Sequence, residues 1–275
     1  MREFRDKIRR VVALYFERKA SRSAAECSYF ITLSFFPFLI CLNWLLGLHD
    51  LGTGVIEKLV TDVVPDTAIE IINNYLNYLS ELDSTLILII GVTFLVTSGS
   101  RAFRAVTHSM EDIYGVRRSG FWQFVMSLLA AVLVPVGVYL SMLILITGGG
   151  FLAFASSFVR FDLTGIMNWT WLRYVVLLVL IMAALGALYR YAVPGIRKFR
   201  SIVWGLGFGT VALVAVSFVF SRLIEASTRY SLVYGSLASV IILMTWLYTC
   251  SNIIIIGGIV NFVFAKPAIP PIAAQ

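Results

Sequence analysis

The stretch Phe121–Thr147 reads FWQFVMSLLAAVLVPVGVYLSMLILIT, 27 residues without one charged side chain. Crossing the hydrocarbon core of a bilayer as a helix takes about 20 apolar residues. In water this segment would have to be covered on every face. In lipid a helix need only satisfy its own backbone, which it does through its internal hydrogen bonds. The stretch therefore reads as a transmembrane helix.

The rest of the chain repeats the pattern. The 275 residues are 59% hydrophobic and only 13% charged, with mean hydropathy +0.89, whereas ordinary soluble domains are about 25% charged. Five further apolar stretches are long enough to cross, at about 27–48, 84–103, 171–191, 202–220 and 233–264. The expected architecture is an all-α integral membrane protein with six transmembrane helices. Residues 1–26 form a basic segment ahead of a membrane domain over 27–266, and 267–275 form a tail. The basic segment has no isolated short apolar core, so no cleavable signal peptide is expected.

The charges supply an orientation. Eight Lys and Arg residues precede the first span, four lie in Arg101–Arg118, four in Arg190–Arg200, and Lys266 follows the last span, making 17 of the 22. The alternate gaps hold Lys58, Arg160, Arg173, Arg222 and Arg229. The gap between the first two spans has seven acids, from Asp50 to Asp83, against one Lys. The positive-inside rule then puts both termini in the cytoplasm. The pI near 9.5 is explained by orientation, and no nucleic-acid partner is expected.

Between 1 and 26, Phe4, Ile8, Val11, Val12, Tyr15 and Phe16 fall at helical spacing, with Arg2, Arg5, Arg9 and Lys19 largely elsewhere. This reads as a basic amphipathic helix, lying either on the anionic inner leaflet or on the protein's own inner face. Two short amphipathic helices are expected in the first outer loop, one on each side of Pro65. The nearly apolar gap after the third span reads as interfacial or partly re-entrant.

Enzyme chemistry finds little footing. There is no Walker A sequence, and His49 and His108 are expected on opposite sides of the membrane. The adjacent acids Glu111 and Asp112 diverge by about 100° on a helix, and are read as balancing Arg101, Arg104, Arg117 and Arg118. Cys27, Cys41 and Cys250 all lie in apolar stretches, with neither a disulfide framework nor a zinc spacing. No metal or other cofactor is expected. Gly205 and Gly209 form a GxxxG pair suited to close helix packing.

The polar candidates are few. Arg101 and Arg104 close the second span behind Thr97-Ser98-Gly99-Ser100, and their i,i+3 spacing suits either a joint grip on a phosphate or carboxylate or a pair of interfacial anchors. Arg222, Glu225 and Arg229 can share one helical face at the outer end of the fifth span, as a gate or as a salt-linked cap. Thr245, Thr249 and Asn252 share a face of the last span, as a cavity wall or as hydrogen bonds between helices. Pro37 and Pro135 mark kinks in the first and third spans, and Gly257-Gly258 a flexible point in the last.

Four segments together carry a resemblance: CSYFITLSFFPFL (27–39), TSGSRAFRAVTHSMEDIYGV (97–116), LYRYAVPGIRKFRS (188–201) and YGSLASVIILMTWLY (234–248). In that order they resemble the YihY/BrkB family of bacterial inner-membrane proteins. The resemblance implies six membrane helices with cytoplasmic termini and a transport-like role. The family has also carried a ribonuclease label, which this sequence does not support. Its arginine motif matches at Ser100, Arg101, Phe103, Arg104 and Tyr114-Gly115, and its Tyr-Gly motif at Tyr234-Gly235. The family often ends its last span with Gly-Ala-Glu before an Asn; here Gly257-Gly258-Ile259-Val260-Asn261 lacks the acid. The functional expectation is a transporter or flippase for an amphiphilic, anionic, lipid-like substrate. The alternative is a non-transporting scaffold that recruits partners or anionic lipids.

Overall fold

A computed structural model of the chain describes residues 2–47, 85–117, 119–146, 169–192, 201–226 and 236–264. The expected outer-loop helices, the interfacial gap after the third span, Arg229 and the tail lie outside the described residues. Seven helices are described: α1 (Arg2–Glu17), α2 (Ala20–Gly47), α3 (Thr85–Tyr114), α4 (Gly120–Ile146), α5 (Trp169–Ala192), α6 (Val203–Ala226) and α7 (Ser236–Phe264).

Five of them, α2, α3, α4, α6 and α7, are long and apolar enough to cross a membrane. The sixth expected span, α5, has a shorter apolar run, Leu177–Ala192, among the described residues. Much apolar surface faces outward: Val132, Leu133 and Val134 on α4, and Val211, 71% exposed, and Phe218 on α6. Such contiguous exposure is costly in water and natural in lipid.

The helix that carries the second expected span runs past Phe103 and both arginines to Tyr114, about three turns further. A buried face continues through Ala102, Ala105, Val106, Met110 and Ile113 and keeps the helix packed. Gly115 ends it with φ at 68°, a left-handed conformation glycine takes without a Cβ clash. The Val116 N–H donates to the Glu111 carbonyl at 3.2 Å, the bond expected of a Schellman cap.

The core gathers at one end of the bundle. It combines the start of α2 (Ala20, Ala24, Cys27), the end of α3, the end of α5 (Leu185, Tyr189), Ile202 just before α6 with Leu206 in its first turn, and the later part of α7 (Ile255, Ile259). The α2–α3 pair forms the most extensive helix contact, while α4 packs chiefly on α3.

α1 has two apolar faces. Val11, Leu14 and Tyr15 pack on the core. Phe4, Ile8, Val12 and Phe16, each four residues from the next, are exposed. A tight turn joins α1 to α2: the Lys19 N–H donates to the Phe16 carbonyl, Arg22 N–H to that of Lys19, and Lys19 itself is left-handed with φ at 50°.

Candidate functional site

Arg101 and Arg104 are not brought together over one neighbour. The Arg101 guanidinium lies 5.5 Å from the Phe30 ring centroid on α2, whereas that of Arg104 lies 5.8 Å from Phe124 on α4. Arg104 also donates to the Ser100 carbonyl at 3.4 Å. Because α3 continues past both, they sit within the helix and lean on the helices flanking it. Neither comes within 4 Å of Glu111 or Asp112, and nor does Arg117, so the expected balancing of those acids by ion pairs is not seen among the described residues. Arg118 is outside them.

At the far end of α6, Arg222 lies against the Phe218 ring at 5.3 Å. Glu225 is within α6, its side chain outside the described set. Pro37 and Pro135 lie inside α2 and α4, both of which continue through them.

The polar face of α7 divides. The Thr245 and Thr249 hydroxyls donate to carbonyls four residues back, Ile241 and Thr245, at 2.8 Å each. That bond satisfies them within their own helix. Asn252 is used twice: its side-chain oxygen accepts from the Tyr15 hydroxyl at 2.6 Å, and its amide donates to the Tyr248 carbonyl at 2.9 Å. Ser21 and Tyr248 share a further hydrogen bond of 2.9 Å. Burial, with a smaller contribution from Tyr248, pushes the Tyr15 phenol above its ordinary value, so at neutral pH it remains a donor.

Gly257 and Gly258 lie within an unbroken α7, and both are buried. A Cβ on Gly257 would collide with the Tyr189 hydroxyl, one on Gly258 with the Met110 sulfur, and one on Gly205 with the Gly257 carbonyl. The pair is thus a place of close helix approach, and no bend in α7 is needed to explain it. Around it, Tyr189 donates to the Ile254 carbonyl at 2.9 Å and Tyr114 to that of Gly258 at 3.2 Å. Ile259, where the resemblance expects an acid, is fully buried; a carboxylate there would need a partner of its own.

One charged site was not singled out from sequence. A cavity of about 630 Å³ opens at the core end of the bundle. Arg18, Lys19 and Arg22 line it from the α1–α2 turn, and His108, Glu111 and Asp112 from the last two turns of α3. Glu26, Arg117 and Gln123 complete the charged and amide lining. Glu111 is only 5% exposed. One of its oxygens is 3.6 Å from His108 Nδ1, and the other has no hydrogen-bond partner among the described residues. The signal available was spacing. Ser100, Arg104, Thr107 and Glu111 recur at intervals of four, three and four, one seam of a helix. Gln123 of α4 meets that seam, donating to the Thr107 hydroxyl at 3.3 Å. No group of three or more metal-ligating side chains occurs among the described residues.

These features define a multi-span helical membrane protein with a charged cavity at one end of its bundle. The chain belongs to the virulence factor BrkB family, whose sequence model matches residues 11–272. It is 24% identical over 263 residues to the YfkH protein of Bacillus subtilis, whose name carries a ribonuclease-like label, covering 94% of this chain and 95% of that one. It is 25% identical to a UPF0761 membrane protein of Aromatoleum aromaticum over 76% of this chain, and 23% identical to one of Chromohalobacter salexigens over 91%. The matches span 50% and 61% of those two proteins. No solved structure matches the chain.

Proposed function

We propose that this chain is a transporter or flippase of the bacterial inner membrane, moving a lipid-like amphiphile that bears an anionic group. The observation that carries the reading is the cavity itself. Four cationic side chains, Arg18, Lys19, Arg22 and Arg117, line a space of about 630 Å³ in a bundle whose flanks are apolar. An amphiphile needs both surfaces, a polar recess for its head and a lipid-facing wall for its tails. The six-span, cytoplasmic-termini topology is supported by the 17 of 22 basic residues in alternate gaps and by the 24-residue length of α5, about 36 Å at helical rise. In that topology the cavity opens to the cytoplasm.

The test is reconstitution of the full chain in liposomes with labelled phospholipids whose headgroups are anionic or zwitterionic. Movement between leaflets above that of protein-free liposomes is expected, and rates equal to them across several lipids would sink the proposal. The chain is read as a carrier and not an enzyme, so the purified protein is expected to leave RNA uncut.

One observation favours the scaffold alternative: the exposed Phe4, Ile8, Val12 and Phe16 stripe of α1. Deleting residues 1–20 separates the readings. Loss of a co-purifying partner with lipid movement intact supports a scaffold, and loss of lipid movement supports a carrier.

A further inference from the structure

The charged cavity is lined by groups of both signs that do not neutralise each other. The basic side comes from the turn into α2, where the first helical turn has no acid and the positive end of the helix adds to the field of Arg18, Lys19 and Arg22. The acidic side comes from the last turns of α3, where the helix end is negative and Glu111 and Asp112 add to it. No ion pair within 4 Å joins the two sets among the described residues. Glu111 is more than nine-tenths buried, yet one of its oxygens has no partner among the described residues. An orphaned, buried carboxylate oxygen costs desolvation energy unless a donor reaches it.

A purely anionic ligand would find its phosphate facing Glu26, Glu111 and Asp112 as well as the cations. A purely cationic one would meet four positive side chains, and no metal-ligating cluster occurs among the described residues. We infer that the cavity binds a zwitterionic group, a phosphate joined through a short linker to a primary ammonium, as in an aminophospholipid headgroup. This rests on the carrier reading and names its substrate class. The phosphate is held by Arg18, Arg22 and the start of α2. The ammonium donates to that Glu111 oxygen, whose fellow lies 3.6 Å from His108 Nδ1. A primary ammonium has three donors and a compact charge, which suits one buried carboxylate and an adjacent Asp112.

The experiment uses the full chain in nanodiscs made from equal parts phosphatidylethanolamine, phosphatidylglycerol and N-acyl phosphatidylethanolamine, whose amine is blocked. Lipids retained after transfer to detergent are quantified. Phosphatidylethanolamine is expected to be enriched about tenfold over both others, the size of one charge-assisted hydrogen bond. Glu111→Gln, close in shape, should erase that enrichment while leaving phosphatidylglycerol retention unchanged, and Arg22→Gln should lower retention of all three. If Glu111→Gln fails to fold, Asp112→Asn, at an exposed position, should still reduce the preference. Competition by soluble glycerophosphoethanolamine would assign the site to the headgroup alone; retention without competition would assign it to the membrane lipid. Equal retention of the three lipids by the native chain, or an unchanged preference in the carboxylate variants, would overturn the inference. Retention of phosphatidylethanolamine without movement between leaflets would refute the carrier reading and leave the binding site standing. Movement of phosphatidylglycerol with no amine preference would do the reverse.

Discussion

The backbone N–H of Gly205 donates to the side-chain oxygen of Asn261 at 2.6 Å. Gly205 is the third residue of α6, and Asn261 lies near the end of α7. The first turn of a helix has N–H groups without helical partners, and here one is satisfied by a side chain from a neighbouring helix. The bond requires the close approach that Gly205 and Gly257 permit. Both substitutions to Ala should cost about 1–3 kcal/mol through overpacking, lowering the thermal midpoint in detergent. Gly207→Ala, whose Cβ would meet nothing within 4 Å, is the control and should be neutral or stabilising. Equal midpoints for Gly205→Ala and Gly207→Ala would contradict the seam.

Gly258 faces a softer neighbour. Its added Cβ would strike the sulfur and methyl of Met110, a flexible side chain that adapts to irregular gaps. Gly258→Ala should therefore be less damaging than Gly257→Ala, which meets a tyrosine hydroxyl. Met110→Ala opens a buried space and should cost about 2–5 kcal/mol alone. The double variant should be more stable than the sum of the singles by about 0.5 kcal/mol or more, read from the same melting curves.

Tyr15→Phe removes the hydroxyl that ties α1 to Asn252. The loss should be about 1 kcal/mol, concentrated in α1 docking, and limited proteolysis at Arg18 or Lys19 should quicken while the rest of the chain melts as before. The native contact has a pH signature. The phenol's value is raised, so the bond is whole below pH 10, the ordinary tyrosine value, and is lost as pH climbs through the raised one. Alkaline proteolysis of the native chain should come to resemble that of the variant.

Arg101 and Arg104 should act independently in stability. Each loses a ring contact worth about 0.5–1 kcal/mol on substitution by Ala, on different helices. A double-mutant cycle should give a coupling below about 0.5 kcal/mol. A larger coupling would mean that the two share a partner after all.

The six long helices are legible from apolar run length; their bounds lie within a few residues of those expected except at the start of α2, the end of α6 and, most of all, the end of α3. There the expected stretch ends at Phe103, between the two arginines. The helix continues because its burial is carried by small and medium residues, Ala102, Ala105 and Val106, whose face the charges do not occupy. The two faces of α1 were foreshadowed by two readings, membrane or protein; Val11 and Tyr15 pack inward while Phe4 and Phe16 remain outside. The charged cavity was harder to see. Its basic lining stands 89 positions from Glu111 at Arg22, and only the packing of α2 on α3 brings them near. For Thr245 and Thr249, periodicity locates a shared face but not a hydroxyl's partner, which is neither a cavity nor another helix but the helix's own backbone.

The left-handed turn at Lys19 and the Tyr15–Asn252 bond together turn α1 into a strap. One end is continuous with α2 through two residues, and the other parts are fastened to α7, with Ser21–Tyr248 as a second clasp. Separating α2 from α7 requires undoing both clasps first, so the strap holds these two helices to each other. α4 lies outside it, leaning chiefly on α3 and carrying the Phe124 ring against Arg104. A cross-link between α1 and α7 would only duplicate a tie the fold already has.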